Sequence, residues 1–301
     1  MSDVPKPTPP TDPRATWSLP PFGELPRVTR LDEVTTRVLA PNPSPMTLDG
    51  TNTYVISAPG SAAALIVDPG PDDDAHLAAV REVLADLDVE VQGIFVTHHH
   101  LDHAEAAKDW GRRFDVDVLA SSGDVAAPRP GSGRAVVVAD GDRLPAPGVE
   151  VEAVTTPGHT RDHVALRLGT GALLTGDHVL GRGTSVVSYP DGDLAAYLDS
   201  LRRVTELGPD ALFPGHGPEL TEDPAAVLEF YAAHRRYREA QILTALAEGP
   251  ATPRALVERI YADVDPGLWG PAERSTRAAL TKLADSGRVR LTDDVAVLLD
   301  T

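Results

Sequence analysis

Between about Val28 and Leu220, short apolar runs that stop at glycine, proline or aspartate alternate with longer stretches of helical spacing. Ala64-Leu65-Ile66-Val67, Gly93-Ile94-Phe95-Val96, Val151 to Thr156, Ala172-Leu173-Leu174-Thr175 and Ala211-Leu212-Phe213 read as buried strands. Asp74 to Leu87, Asp102 to Phe114 and Leu194 to Leu207 read as helices. The first opens on Asp72-Asp73-Asp74, acids that complement a helix N-terminus and are read as a cap, not as a metal site. By itself this alternation predicts an α/β or α+β domain. Past Glu222 the pattern turns helical. A long amphipathic helix is expected over Pro224 to Glu248, a second from the Thr252-Pro253 cap through Asp263, and a third over Pro271 to Asp285. Two strands follow, 287–291 and 295–299, joined at Thr292-Asp293-Asp294, and Leu256, Ile260, Leu280 and Leu283 are the expected core of this region. Ahead of Val28 the chain is proline-punctuated without apolar periodicity, an extended and partly ordered arm. The expected organisation is therefore an arm (1–27), a catalytic domain (28–222) and an accessory domain (223–301).

The candidate chemistry sits where these runs end. Thr97-His98-His99-His100-Leu101-Asp102-His103 follows the run ending at Val96 and places imidazoles and a carboxylate in H-x-H-x-D-H spacing. Neutral nitrogen with anionic oxygen is the donor mixture that a Zn²⁺-type ion takes. Three further runs each end in a turn and deliver one more donor: Pro157-Gly158-His159, Gly176-Asp177 and Pro214-Gly215-His216. Strands lying side by side would bring these ends to one rim. His98, His100, Asp102, His103, His159, Asp177 and His216 make seven candidate ligands, more than one tetrahedral ion can use, so two divalent ions are expected.

These motifs, in this order, resemble those of the metallo-β-lactamase-fold hydrolases: H-x-H-x-D-H, then P-G-H-T, T-G-D and P-G-H-G. The segment Asn42 to Tyr54 and the C-terminal region resemble the β-lactamase-like-protein-2 branch, which includes animal mitochondrial endoribonucleases, and the likeness runs from about residue 28 to 301. It implies an α+β fold, an αββα sandwich of two mixed β-sheets flanked by helices, with a small C-terminal winged helix. It implies that His98, His100 and His159 hold one metal, that Asp102, His103 and His216 hold a second, and that Asp177 bridges them. Zinc is the expected metal, though such sites also accept Mn or Fe. The implied reaction is hydrolysis by hydroxide held between two cations. Asp102 is a candidate for orienting that hydroxide as well as a ligand. Asp68, at the end of its strand, and His163 are candidates for supporting the ligands from behind.

Departures narrow the field. His100 stands where iron-dependent flavodiiron relatives carry glutamate, and Asp177 stands where the antibiotic-hydrolysing members have cysteine or lack the bridging carboxylate. This chain has no cysteine at all. The interval from Asp177 to His216 is too short for the inserted domain of the RNA-processing and DNA-repair nucleases. His99, between two ligands, is expected to point away and to have no role. His178 is expected to be structural, and His76 and His234 to lie on the surface.

Without cysteine neither disulfides nor thiolate sites can form, and no run approaches the length of a membrane span, which together predict a cytoplasmic protein with no membrane partner. Abundant alanine, proline and arginine resemble coding from a high-GC bacterial genome. The net charge is −18, of which residues 223–301 contribute −2. An acidic catalytic domain repels polyanions, yet Arg235, Arg236, Arg238, Arg274, Arg277, Lys282, Arg288 and Arg290 are concentrated in the accessory region. Two substrates stay open: single-stranded RNA, following the branch resemblance, and a small acyl thioester, ester or lactone as in glyoxalase II-like relatives. A nucleic-acid-binding module with a vestigial site is a third reading. The accessory domain has the alternatives of gripping nucleic acid, packing on the catalytic domain as a pocket wall, or making a homodimer.

Overall fold

The computed structural model describes residues 7–132 and 135–299. Two sheets face each other. The first has six strands in chain order: β1 (Val28–Arg30), β2 (Thr35–Leu39), β3 (Asn52–Ile56), β4 (Ala63–Val67), β5 (Glu90–Phe95) and β6 (Val118–Leu119). The pairs up to β4 are antiparallel and the β4/β5 and β5/β6 pairs parallel. The second sheet contains β7 (Val151–Thr155), β8 (Val164–Leu168), β9 (Ala172–Gly176) and β10 (Ala211–Pro214), in the order β10-β9-β8-β7. Tyr54, Leu65, Phe95, Leu166, Leu174 and Phe213 fill the space between them. β4 is apolar at every position because it is buried on both faces, the outer one by α1 (Asp74–Asp86) and α3 (Ala107–Phe114) through Leu77, Val80 and Trp110. α4 (Leu194–Leu207) covers the second sheet. The mixed two-sheet sandwich flanked by helices is thus the expected α+β class.

Several local expectations change. The helix expected over Asp102 to Phe114 is broken into α2 (Leu101–Ala104) and α3. The cause is Gly70, whose carbonyl takes the Ala106 N–H at 3.1 Å and whose N–H binds the His103 carbonyl at 3.2 Å, so the backbone bonds that would continue the helix are used elsewhere. His76 is not on the surface. It is fully buried, donates from Nε2 to Thr53 Oγ1 at 2.8 Å, and burial holds its pKa down at about 4. Asp73 caps α1, accepting from His76 N at 2.7 Å. His234 is half-buried against Phe230, and burial, then Arg235 and Arg238, lower its pKa to about 3.

The C-terminal region contains α5 (Pro224–Ala247), α6 (Pro253–Ile260), α7 (Trp269–Asp285) and the hairpin β11 (Val289–Thr292)/β12 (Val295–Leu298), turning at Asp293 and Asp294 in positive φ. α6 stops three residues short of Asp263. α5 carries a single apolar stripe along its length, since Val227, Leu228 and Tyr231 fall on the same side of the helix as Ile242, Ala245 and Leu246; its first half packs toward α4 and its second half toward α6 and β12. One apolar cluster therefore runs from Val154 and Leu173 under the second sheet to Leu256, Leu280 and Ala296, and α5 belongs to both halves.

The first six residues of the arm lie outside the described residues. The remainder is docked. Asp12 caps a 3-10 turn (Pro13–Thr16), and Arg14 is buried, donating to Leu180 O at 2.9 Å and Gly183 O at 2.7 Å. Further along, Arg182 donates to Pro20 O and Gly23 N–H to Asp49 Oδ1 at 2.6 Å. No helix among the described residues is long and apolar enough to cross a membrane.

Candidate metal centre

The strand ends do share a rim. β5 delivers the 97–103 loop, β7 leads to His159, β9 to Asp177 and β10 to His216. Their register is fixed from β3, where the buried Asn52 amide donates to Pro214 O and Gly217 O, both at 2.8 Å. Glycine is required at two of the turns. A Cβ on Gly215 would lie 2.7 Å from Asp177 Oδ1 and 2.8 Å from His103, and one on Gly158, at φ +140°, would sit 2.3 Å from Tyr197 Cα.

All seven expected donors converge, and they separate into two groups. His98 Nε2 and His159 Nε2 lie 3.0 and 3.1 Å from His100 Nδ1. On the other side, His103 Nε2 is 3.1 Å and Asp102 Oδ2 3.2 Å from His216 Nε2. Asp177 lies between them. Its Oδ1 is 3.4 Å from both His103 Nε2 and His216 Nε2, and its Oδ2 is 3.6 Å from His159 Nε2. The His98/His100/His159 and Asp102/His103/His216 sets each have the spacing to hold one ion, as does His98/His103/Asp177. The donor set fits a metal on a second count. Asp177 Oδ1 is buried without any hydrogen-bond partner, a costly state for a carboxylate oxygen unless a cation meets it.

A layer of partners fixes which ring nitrogen faces inward. Asp68 accepts from Thr97 N and Thr97 Oγ1, each at 2.8 Å, and from His103 Nδ1 at 2.8 Å. Because the Thr97 hydroxyl donates to Asp68, it accepts from His98 Nδ1 at 3.0 Å. Nδ1 of His159 and of His216 donate to Val186 O at 2.7 Å and Gly50 O at 3.1 Å. His163 Nε2 accepts the Asp177 N–H at 3.1 Å, so its Nδ1 donates to Thr156 Oγ1 at 2.8 Å. Asp68 and His163 thus lie behind the candidate donors. His99 faces outward to Asp162 at 2.9 Å and Asp191 at 3.6 Å. His178 is buried against the Tyr197 ring. Thr97, Asn52 and Ser185 were missed. Asn52, a polar residue opening an apolar strand, carried a signal. Ser185 carried none, yet its hydroxyl donates to Asp177 O at 2.5 Å.

Residues 46–216 match the sequence profile of the metallo-beta-lactamase superfamily. The chain belongs to that superfamily. Residues 252–296 match the beta-lactamase associated winged helix domain, the unit formed by α6, α7 and the hairpin. A beta-lactamase-like protein 2 homolog of Drosophila melanogaster is 33% identical over 279 residues, covering 89% of this chain and 93% of that protein. An atrochrysone carboxyl ACP thioesterase of Aspergillus chevalieri is 32% identical over 281 residues, covering 90% and 86%. The crystal structure of a beta-lactamase domain protein from Burkholderia ambifaria superposes with a TM-score of 0.78 at 23% identity, over 95% of this chain and 96% of that one, which shows the shared fold.

The metallo-beta-lactamase cradle is electrostatically ready for cations. Burial, reinforced by neighbouring imidazoles, holds His98 well below the usual histidine range and His100 at about 4, so both are neutral donors at pH 7. Burial alone would raise Asp177, but His216 and His103 outweigh it and hold it well below the carboxylate range. Asp102 is held at about 2, its burial overcome by His216 and His103. His103 is the exception: burial opposes its charge, yet Asp68 and Asp177 raise it well above 6.5. In the metal-free protein it therefore carries a proton that an incoming cation must displace. Raising the pH toward that elevated range relieves this competition step by step, so metal affinity should climb about tenfold per pH unit for as long as His103 holds its proton. Competition titrations with a chromophoric chelator test this, and a flat profile would contradict a protonated His103.

Proposed function

We propose that this superfamily hydrolase holds two divalent ions, for which zinc suits the donors, and cleaves acyl thioesters or esters of small carboxylic acids. The carrying observation is the division of seven donors into two triads with one Asp177 oxygen turned toward each. Ions held there would supply Lewis acidity and activate water near neutral pH. The chain's own contribution is positional. Asp102, at 30% side-chain exposure, is far more open than the fully buried His103 and His216 beside it, and its ionised carboxylate can orient the attacking water by accepting a hydrogen bond from it. His98, His159 and His216 are fixed from behind by Thr97, Val186 O and Gly50 O, which turns their free ring nitrogens toward the centre.

Two observations support an acyl substrate. Exposed apolar side chains stand on segments tied to the centre. Leu101 lies between two donors, Met46 is on the loop leading to Gly50, Phe22 adjoins the Gly23 anchor and Tyr189 is two residues from Asp191. In addition, the accessory cations are largely engaged within the protein. Arg277 pairs with Asp294 at 2.8 Å and Glu273 at 2.9 Å, Lys282 with Glu239 at 2.7 Å, and Arg235 is buried on Ser185 O. The thioesterase relative supports the same reading.

Cleavage of single-stranded RNA is the second reading, favoured by the exposed Arg236, Arg288 and Arg290, the last two flanking Val289 at the start of a wing strand. Metal-analysed protein incubated with acyl thioesters, esters and lactones beside a labelled single-stranded RNA separates the two. Acyl turnover with intact RNA is the expected result; RNA cleavage without acyl turnover would overturn it.

A further inference from the structure

Arg235 and Arg238, one turn apart on α5, face the seam between the catalytic sheets and the winged helix. Arg235 is 7% exposed; it donates to Ser185 O at 2.5 Å and lies 4.8 Å from the Tyr197 ring centre. Arg238 donates to Gln241 Oε1 at 2.9 Å and lies 4.3 Å from the Tyr261 ring centre. Their partners are a carbonyl, an amide and aromatic faces, and none is a carboxylate. Nε of each guanidinium is buried with no acceptor. Elsewhere in this acidic chain buried and half-buried cations meet carboxylates, as Arg37 meets Glu219 at 2.7 Å and Lys282 meets Glu239 at 2.7 Å. Two guanidinium groups that meet no carboxylate, Arg235 buried and Arg238 half-buried, each with a buried spare donor, call for a counter-charge.

A cavity lies between them. Its volume is about 20 Å³, and Val187, Leu194, Ile242, Ser275 and Thr276 complete its wall. A water needs about 10 to 15 Å³ on this scale, so the space suits one water-sized ion and no polyatomic ligand. We propose that this seam cavity binds one monatomic anion, a halide such as chloride, held by Arg235 and Arg238. The anion completes the charge balance of the seam and so fastens the winged helix to the sheets. It also reaches the metal centre. Arg235 holds Ser185 O, the Ser185 hydroxyl holds Asp177 O at 2.5 Å, and the next carbonyl, Val186 O, orients His159 at 2.7 Å. The proposal stands whichever substrate the centre takes.

The test is calorimetric titration of full-length, metal-loaded protein with sodium chloride, phosphate and acetate. Ionic strength is kept constant with gluconate, which is too bulky for the cavity. We expect chloride to bind saturably at one site per chain, phosphate and acetate, too large for the cavity, to show no such component, and the chloride component to weaken at least about tenfold in Arg238→Met. Arg277→Met, already neutralised by Asp294, should leave it unchanged. Anions that merely bind at the metals would bind Arg238→Met as tightly as wild type, and that result, or no saturable binding at all, would overturn the proposal. Arg238→Lys, which keeps the charge but loses Nε, replaces the methionine variant if the latter does not fold.

Discussion

Asp177→Ala is expected to lose about 10³-fold or more in turnover and to retain less bound metal than the parent. Asp177 is the one donor with an oxygen toward each triad, so its removal takes a ligand from both at once. Loss of several kcal/mol of transition-state stabilisation corresponds to a factor of this size. It also leaves His103 between fewer carboxylates, lowering its proton affinity, so the variant should show a shallower dependence of metal affinity on pH. Metal analysis with kinetics on the best substrate is the measurement. His99→Ala, whose ring faces Asp162 on the outside, should stay within about twofold of wild type, since surface changes away from such features are nearly neutral. Equal losses in both variants would mean the donors are wrongly assigned.

Asp68→Ala should show the largest loss of stability. Three buried donors, Thr97 N, Thr97 Oγ1 and His103 Nδ1, share this one carboxylate. Leaving buried donors without acceptors costs about 1–3 kcal/mol each, so a total of about 4 kcal/mol is expected in the metal-free protein. Asp68 also sits at φ +50°, a conformation that aspartate tolerates better than alanine. Metal affinity should fall by about 10- to 100-fold, because His98 and His103 lose the contacts that orient them. Denaturant unfolding of the metal-free form and chelator competition check the two parts. A metal-free midpoint equal to wild type would show that Asp68 is dispensable to the loop. Asp68→Asn, which retains an acceptor oxygen, should fall between the two.

The donors were legible because ligand chemistry is carried by residue type: histidine and aspartate clustered at strand ends have few other uses. That the seven would separate into two triads came from the resemblance; their atoms lie close enough for those two groupings and also for His98 with His103 and Asp177. What stayed hidden depends on backbone groups, which no side-chain pattern reports. The break between α2 and α3 arises from Gly70's own N–H and carbonyl, and Arg14 docks on the carbonyls of Leu180 and Gly183. His76 was misread because it sits one turn inside an acidic helix start, where composition suggests surface, yet its ring turns onto Thr53 and the sheet. The arginines of the accessory region looked like a grip when counted, and only their partners reveal how many are already engaged.

The span of chain between Asn52 and Pro214 has a consequence for how the protein is born. On the ribosome the first triad member and the whole 97–103 loop emerge more than 100 residues before His216, and Arg14 waits 166 residues for Leu180. Until β10 arrives and Asn52 latches it, the 97–103 loop lacks the partners that complete both donor groups. Any metal binding that uses both groups is therefore a late event in biosynthesis, set by completion of the second sheet.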